Sequence, residues 1–173
     1  SNSTREAIVH TQQAASCGAD ATLHVTGYYN RPSQTGIVEH FKAVDAASDR
    51  PIIVYNIPPR AIVDITVDTM AELAQLRHIV GVKDATTDLT RPLRERIRIG
   101  DDFCLLSGED GTAVAYNAAG GNGCISVTAN VAPKLCAEMQ SACTRGDFLE
   151  AMAIQRRLMP LHEALFMEPS PAG

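Results

Sequence analysis

The chain has 173 residues, 45% hydrophobic and 20% charged, the size and composition of one ordinary globular domain. Its formal net charge of −5 argues against nucleic-acid backbones and anionic membrane surfaces as partners, and no apolar run approaches the roughly 20 residues of a membrane span. The opening Ser1–Glu6 is polar with no apolar stretch behind it, so no secretory leader is expected and a cytoplasmic location is.

Along the chain one unit repeats. A helical pattern runs from Thr4 to Ser16, with Gly18 as its stop. Ala21–Thr26 reads as a strand, then a Gly-Tyr-Tyr-Asn loop and a helix from about 35 to 48. Pro51–Asn56 reads as a strand that Pro58-Pro59 breaks, with a helix over 67–76. Three further pairs follow: strand 79–83 and helix 89–99, strand 103–107 and helix 111–119, strand 124–128 and helix 132–144. One more helix, 147–166, is expected to pack outside the sheet. Cys17, Cys104, Cys124, Cys136 and Cys143 are odd in number and form no CxxC pair. They read as reduced, buried thiols, with Cys136 and Cys143 on one helical face.

Short apolar strands rich in β-branched residues, alternating with helices, predict a parallel sheet covered by helices. An open doubly wound sheet and a closed (β/α) barrel both satisfy this pattern. Polar side chains fall at the C-terminal ends of all five strands: Thr26 with Tyr28 and Tyr29, Tyr55 with Asn56, Lys83 with Asp84, Ser107 with Gly108, and Ser126 with Thr128. A barrel brings those ends to one face, whereas an open sheet concentrates function at one switch point. The expectation is therefore an α/β fold, a partial (β/α)8 barrel over residues 1–145 with the start of a C-terminal helical region at 146–173. A barrel of eight strands takes roughly 250 residues, so the chain reads as part of a longer polypeptide.

Lys83 closes the apolar run IVGVK. Partial desolvation there disfavours the ammonium and leaves an amine nucleophilic toward carbonyls; a strand-end lysine reaching solvent fits the same position. Tyr55 ends the neighbouring strand, either as a half-buried aromatic or as a proton relay for imine formation. Arg60, behind the rigid Pro58-Pro59 step, suits a surface arginine or a fork for a substrate carboxylate. Gly120-Gly121-Asn122-Gly123 precedes a strand, which reads as a tight turn and not as a phosphate loop. His162-Glu163 lacks the second histidine of a zinc-protease motif, since Phe166 stands there.

With these residues in place, the chain closely resembles the dihydrodipicolinate synthase family of pyruvate-dependent, Schiff-base class I aldolases. The resemblance rests on NSTREAI, GADATLHVTGYYNRPSQTGIVEHF, PIIVYNIPPR, IVGVKDAT, LLSGEDGTA, GGNGCISVTANVAP and LMPLHEALF. By matching positions it implies that Lys83 forms the Schiff base with pyruvate and Tyr55 relays protons. It implies that Tyr29 enters a neighbouring subunit's site and Arg60 receives the carboxylate of L-aspartate 4-semialdehyde. Gly108 and Ile125 would line the pyruvate pocket. Asn2, Glu6 and Tyr28 match three positions of a site at which some members bind L-lysine as inhibitor.

The implied assembly is a homotetramer, a dimer of dimers, and the implied chemistry needs no metal or organic cofactor. Gly27 stands where the family commonly has Pro, and Pro59, Ala61 and Ile62 depart from its usual residues around the arginine. Rival readings are another pyruvate-dependent aldolase (N-acetylneuraminate lyase or a 2-keto-3-deoxy-sugar-acid aldolase) and a non-catalytic relative. The family's earlier strands would supply a threonine partner for Tyr55, so this piece alone is expected to be inactive or poorly active.

Overall fold

The computed structural model describes residues 1–168. Five strands, β1 (Thr22–Val25), β2 (Ile52–Asn56), β3 (Ile79–Asp84), β4 (Cys104–Ser107) and β5 (Gly123–Cys124), form one parallel sheet in the order β1-β2-β3-β4-β5. Each strand pairs with the next in sequence, and the order never reverses. That progression is the winding of a barrel, not of a doubly wound sheet with its switch point. The sheet is a partial (β/α) barrel.

Eight helices accompany the strands among the described residues: α1 (Thr4–Ser16), α2 (Gln34–Ala46), α3 (Pro58–Ala61), α4 (Val67–Leu73), α5 (Arg91–Ile99), α6 (Ala113–Ala118), α7 (Pro133–Thr144) and α8 (Phe148–Leu165). Ser3, Ser33 and Thr66 accept backbone N–H groups at the starts of α1, α2 and α4, satisfying donors that a helix leaves open. Among the described residues no helix is long and apolar enough to cross a membrane.

The core lies between sheet and helices. Ile52, Val54, Val82 and Leu105 pack there against Ile37, Phe41, Val44, Met70 and Leu73. A smaller cluster joins α7 to α8 through Cys136, Met139, Ala142, Ala151, Ile154 and Leu158. Successive strand residues alternate faces, so β2 shows a strict buried and half-buried alternation. The helices cover one face of the sheet; five strands do not close on themselves, and their inner face stays partly open.

Four expectations need correction. Pro58-Pro59 does more than break β2: it opens the one-turn helix α3, where proline's fixed φ and missing N–H cost nothing. The helix expected over 111–119 begins as a 3₁₀ turn, Asp110–Thr112, with Glu109 accepting the Gly111 N–H at 3.2 Å. The strand expected over 124–128 ends at Cys124. Beyond Ile125, whose N–H still reaches the Ser107 carbonyl at 2.9 Å, the chain turns away. The Asp110 carboxylate takes the Val127 and Thr128 N–H groups at 2.8 and 3.1 Å, drawing them into a 3₁₀ turn, Thr128–Asn130. Finally, Cys17 is exposed and Cys104 and Cys124 only half-buried, while Cys136 and Cys143 are buried on α7 as expected.

Of residues 146–173, read as a C-terminal helical region, the described part forms α8, which packs against α7 and α6; positions 169–173 lie outside the described residues. Pairing of β3 with β4 leaves no space at Gly81. A Cβ there would lie 2.5 Å from the Cys104 carbonyl oxygen and 2.7 Å from the Cys104 Cβ. Gly81→Ala is expected to cost about 3 kcal/mol of stability through overpacking against backbone, read as the shift in a denaturant unfolding curve. An unshifted curve would contradict this close approach.

Candidate active site

Parallel pairing sets Tyr55 beside Lys83 and Asn56 beside Asp84. Alternation then sends Tyr55 and Lys83 to the inner face and Asn56 and Asp84 to the helix side. The outcome is a pair of half-buried functional groups over a fully buried polar pair. The Lys83 Nζ lies 4.2 Å from the centre of the Tyr55 ring, a cation–π distance when the amine is charged.

Burial pulls the Lys83 amine below the ordinary lysine range, opposed in smaller part by Cys124 and by the Asp110 carboxylate. Desolvation penalises the ammonium, and the nearby Asp110 carboxylate returns part of its stabilisation. Tyr55 moves the other way: burial raises its phenol, Arg60 offsets part of that, and Glu109 adds to it. The pair therefore holds a protonated phenol, able to donate, beside an amine that loses its proton more readily than usual.

Several elements hold this geometry. The Thr26 hydroxyl and N–H both donate to the Tyr55 carbonyl at 3.2 Å, so the end of β1 is tied to the residue that carries the phenol. The Gly108 N–H donates to the Asp84 carbonyl at 2.6 Å. A Cβ at Gly108 would sit 3.1 Å from the Lys83 Cε and 3.0 Å from the Ala85 Cβ, so this glycine leaves the lysine its room. Ile125 joins them through its N–H bond to Ser107, the neighbour of Gly108. Arg60 stands on α3, directly after β2, where its charge acts on the Tyr55 phenol.

Tyr29 is different. It stands on the loop after β1 with φ 70° and is 85% exposed, so the chain does not gather it into the cluster. A tyrosine held in the left-handed region is strained. Asn2 and Tyr28 do meet: the Asn2 side chain donates to the Tyr28 carbonyl and to Asn30 Oδ1, each at 3.3 Å. Glu6, on the first turn of α1, accepts the Ser1 hydroxyl at 2.7 Å.

Sequence reasoning missed three groups around Lys83. Asp110 is buried at the base of the site and holds the Ser126 hydroxyl as well as the turn after β5. Cys124 is pushed up to about 12 by burial and Asp110, so it sits by the lysine as a neutral thiol. Glu109 acts on Tyr55. The acidic Glu109-Asp110 pair behind a strand was the visible signal for two of them. The Gly120–Gly123 segment is the predicted turn, joining α6 to β5. His162 is buried on Thr128, whose Oγ1 lies 2.6 Å from its Nδ1. No group of three or more His, Cys, Asp or Glu side chains suited to a metal occurs among the described residues.

Comparison with known proteins bears on this arrangement. The sequence model of the Dihydrodipicolinate synthetase family matches residues 1–173. A Rhodospirillum centenum protein named 4-hydroxy-tetrahydrodipicolinate synthase is 62% identical over 171 residues, covering 99% of this chain and 59% of the relative. A Parvibaculum lavamentivorans protein of the same name is 60% identical over 172 residues, covering 99% and 59%. The chain thus spans about three fifths of the length of the curated relatives it matches. Among solved structures, dihydrodipicolinate synthase from Aquifex aeolicus superposes with a TM-score of 0.96 at 43% identity, covering 98% of this chain and 58% of that one. The chloride-inhibited enzyme from Acinetobacter baumannii, complexed with pyruvate, gives 0.95 at 42%, with 98% and 58% covered. The Cyanidioschyzon merolae enzyme with lysine bound gives 0.94 at 39%, again with 98% and 58%.

The opposed environments of two lysines provide a direct check. Burial lowers Lys83, whereas hydrogen bonding to Glu39 is the largest cause raising Lys42. Competitive acylation across a pH series, with peptide mapping, is expected to give a lower midpoint for Lys83 than for Lys42. A Lys83 midpoint at or above that of Lys42 would contradict its desolvation.

Proposed function

The chain belongs to the dihydrodipicolinate synthetase family, and on that footing we propose that it carries the Schiff-base machinery of a lyase. The reaction is condensation of pyruvate with L-aspartate 4-semialdehyde to 4-hydroxy-tetrahydrodipicolinate, in diaminopimelate and lysine biosynthesis. The observation that carries the reading is the half-buried Lys83 amine beside the Tyr55 phenol at paired strand ends.

The unprotonated Lys83 Nζ attacks C2 of pyruvate, and the carbinolamine loses water to give an imine that is protonated on nitrogen. That iminium is an electron sink. Loss of a methyl proton gives an enamine, whose carbon attacks the aldehyde of the second substrate; the amine of that substrate then displaces Lys83 and closes the ring. Tyr55 relays protons through the carbinolamine steps, and its raised pKa keeps it a donor. Gly108 and Ile125 line the pyruvate pocket, and Arg60 receives the semialdehyde carboxylate.

Tyr29 completes a neighbouring subunit's site in a homotetramer, which its exposed, strained position on the loop supports. Asn2, Glu6 and Tyr28 form one side of a lysine-binding regulatory site, a reading supported by the Asn2–Tyr28 contact.

Borohydride reduction in the presence of pyruvate is expected to leave a pyruvyl adduct on Lys83, located by peptide mapping and abolished in Lys83→Ala. In the chain extended N-terminally with a relative's preceding segment, Tyr55→Phe is expected to slow condensation by about 10²-fold or more. Arg60→Ala should leave trapping intact yet lower semialdehyde turnover by about 100-fold, the value of a lost charge-assisted carboxylate contact. Intact semialdehyde turnover in Arg60→Ala would favour a sugar-acid aldolase. A folded chain that forms no adduct, alone or extended N-terminally with a relative's preceding segment, would point to a non-catalytic relative.

A further inference from the structure

On the helix side of the sheet, behind the Lys83–Tyr55 pair, lies a polar cluster that the proposed chemistry does not use. Its centre is Arg91, the first residue of α5 and only 3% exposed. Its Nε donates to Glu95 Oε1 at 3.0 Å and lies 3.9 Å from Asp84 Oδ2. Its Nη1 donates to both Asp64 oxygens, at 3.0 and 3.3 Å, and its Nη2 donates to the Ile65 carbonyl.

Those partners lead back to the strand ends. Asn56, next to Tyr55, donates to Asp64 Oδ1 at 2.7 Å and accepts the Ile65 N–H at 3.1 Å. Asp84, next to Lys83, takes the Thr86 N–H and hydroxyl at 2.9 and 3.1 Å. Asp84 and Glu95 are 3% and 0% exposed. Burying two carboxylates and a guanidinium carries a large desolvation penalty unless geometry and hydrogen bonds compensate, so apolar residues would fill the same space at less cost. The one thing this cluster does that apolar packing does not is to tie α5 by directional bonds to Asp64 and Ile65, which hold Asn56 of β2, while its charge faces Asp84 of β3 at 3.9 Å.

We propose that Arg91 is a positioning residue for Lys83 and Tyr55: its planar fork holds Asn56 through Asp64 and Ile65 and pairs by charge with Asp84, and the strand neighbours of those two residues carry the reacting groups. This inference rests on the Schiff-base reading above. Because side chains alternate along a strand, a clamp on residues 56 and 84 fixes the backbone of residues 55 and 83 without touching substrate. Lysine cannot replace it: a single ammonium does not reach Asp64, the Ile65 carbonyl and Glu95 together.

The test exploits that difference. Arg91→Lys keeps the charge, so any change at Lys83 arises through geometry. Lys83 itself faces Tyr55 from β2, Asp110 from the turn after β4 and Cys124 from β5; Asp64, Asp84, Glu95 and Tyr116 surround Arg91. Loosening the strand ends lets water reach the buried amine and returns its pKa toward the ordinary value. The expected result is an alkaline shift of about one unit in the pH midpoint of pyruvate–borohydride trapping, hence about tenfold slower trapping near neutral pH and recovery at high pH. Asp64→Asn, which keeps the Asn56 contact but weakens the fork, is expected to shift it in the same direction by less. Arg98→Lys, at a surface pair with Asp68, serves as the control and is expected to leave the midpoint unmoved.

A merely structural role would lower the trapped fraction equally at every pH, with the midpoint unmoved; that result in Arg91→Lys and Asp64→Asn would overturn the proposal. Collapse of the fold in both variants, read by circular dichroism, would assign the cluster to stability alone and overturn it too. Absence of any adduct in the parent chain, alone and extended N-terminally with a relative's preceding segment, would instead strike the Schiff-base reading on which the inference stands.

Discussion

The parallel pairing of β2 with β3 is the constraint on which the site depends. One register step, Tyr55 against Lys83 and Asn56 against Asp84, decides two things at once. On the inner face it brings a phenol to an amine; on the outer face it brings two polar groups into the layer beneath the helices. A slip of one residue would exchange the faces, putting the amine into the apolar core and Asp84 into the open mouth. The apolar residues Ile52, Val54 and Val82, all on the helix side, resist that slip because each would lose its burial.

Position along the strand matters as much as face. Deeper in the sheet, a lysine would be desolvated without outlet; past the strand end it would be an ordinary surface amine. At residue 83 it is partly buried, with the Asp110 carboxylate near enough to temper its loss of charge. The site thus balances two opposed requirements. The amine must shed its proton to attack a carbonyl, yet the nitrogen carries positive charge once the imine forms. A half-buried position with a carboxylate nearby serves both, and a neutral thiol at Cys124 adds no competing negative charge.

Much of this was legible in the sequence. Apolar β-branched runs alternating with helical stretches carried the parallel sheet, and polar residues at every strand end carried the barrel, which the unreversed strand order bears out. Lys83 beside Tyr55 follows from strand ends read in order. Features that depend on a partner distant in sequence were hidden. The fifth strand stops early because Asp110, some seventeen residues upstream, captures its N–H groups. Pro58-Pro59 reads as a breaker, but the chain uses the pair to start a helical turn that delivers Arg60. Arg91 looks like one more arginine in the charged stretch RPLRERIR, and only the fold reveals it as the buried one, facing Asp64 and Glu95.

A crystal structure of the chain reduced with borohydride in the presence of pyruvate would show the reacting geometry itself. Continuous density is expected from the Lys83 Nζ to a pyruvyl carbon, seated between the Tyr55 ring and Gly108, with the Tyr55 hydroxyl within hydrogen-bonding distance of the adduct. Density on Lys42 or Lys134 with Lys83 unmodified, or an adduct on Lys83 turned away from Tyr55, would contradict it.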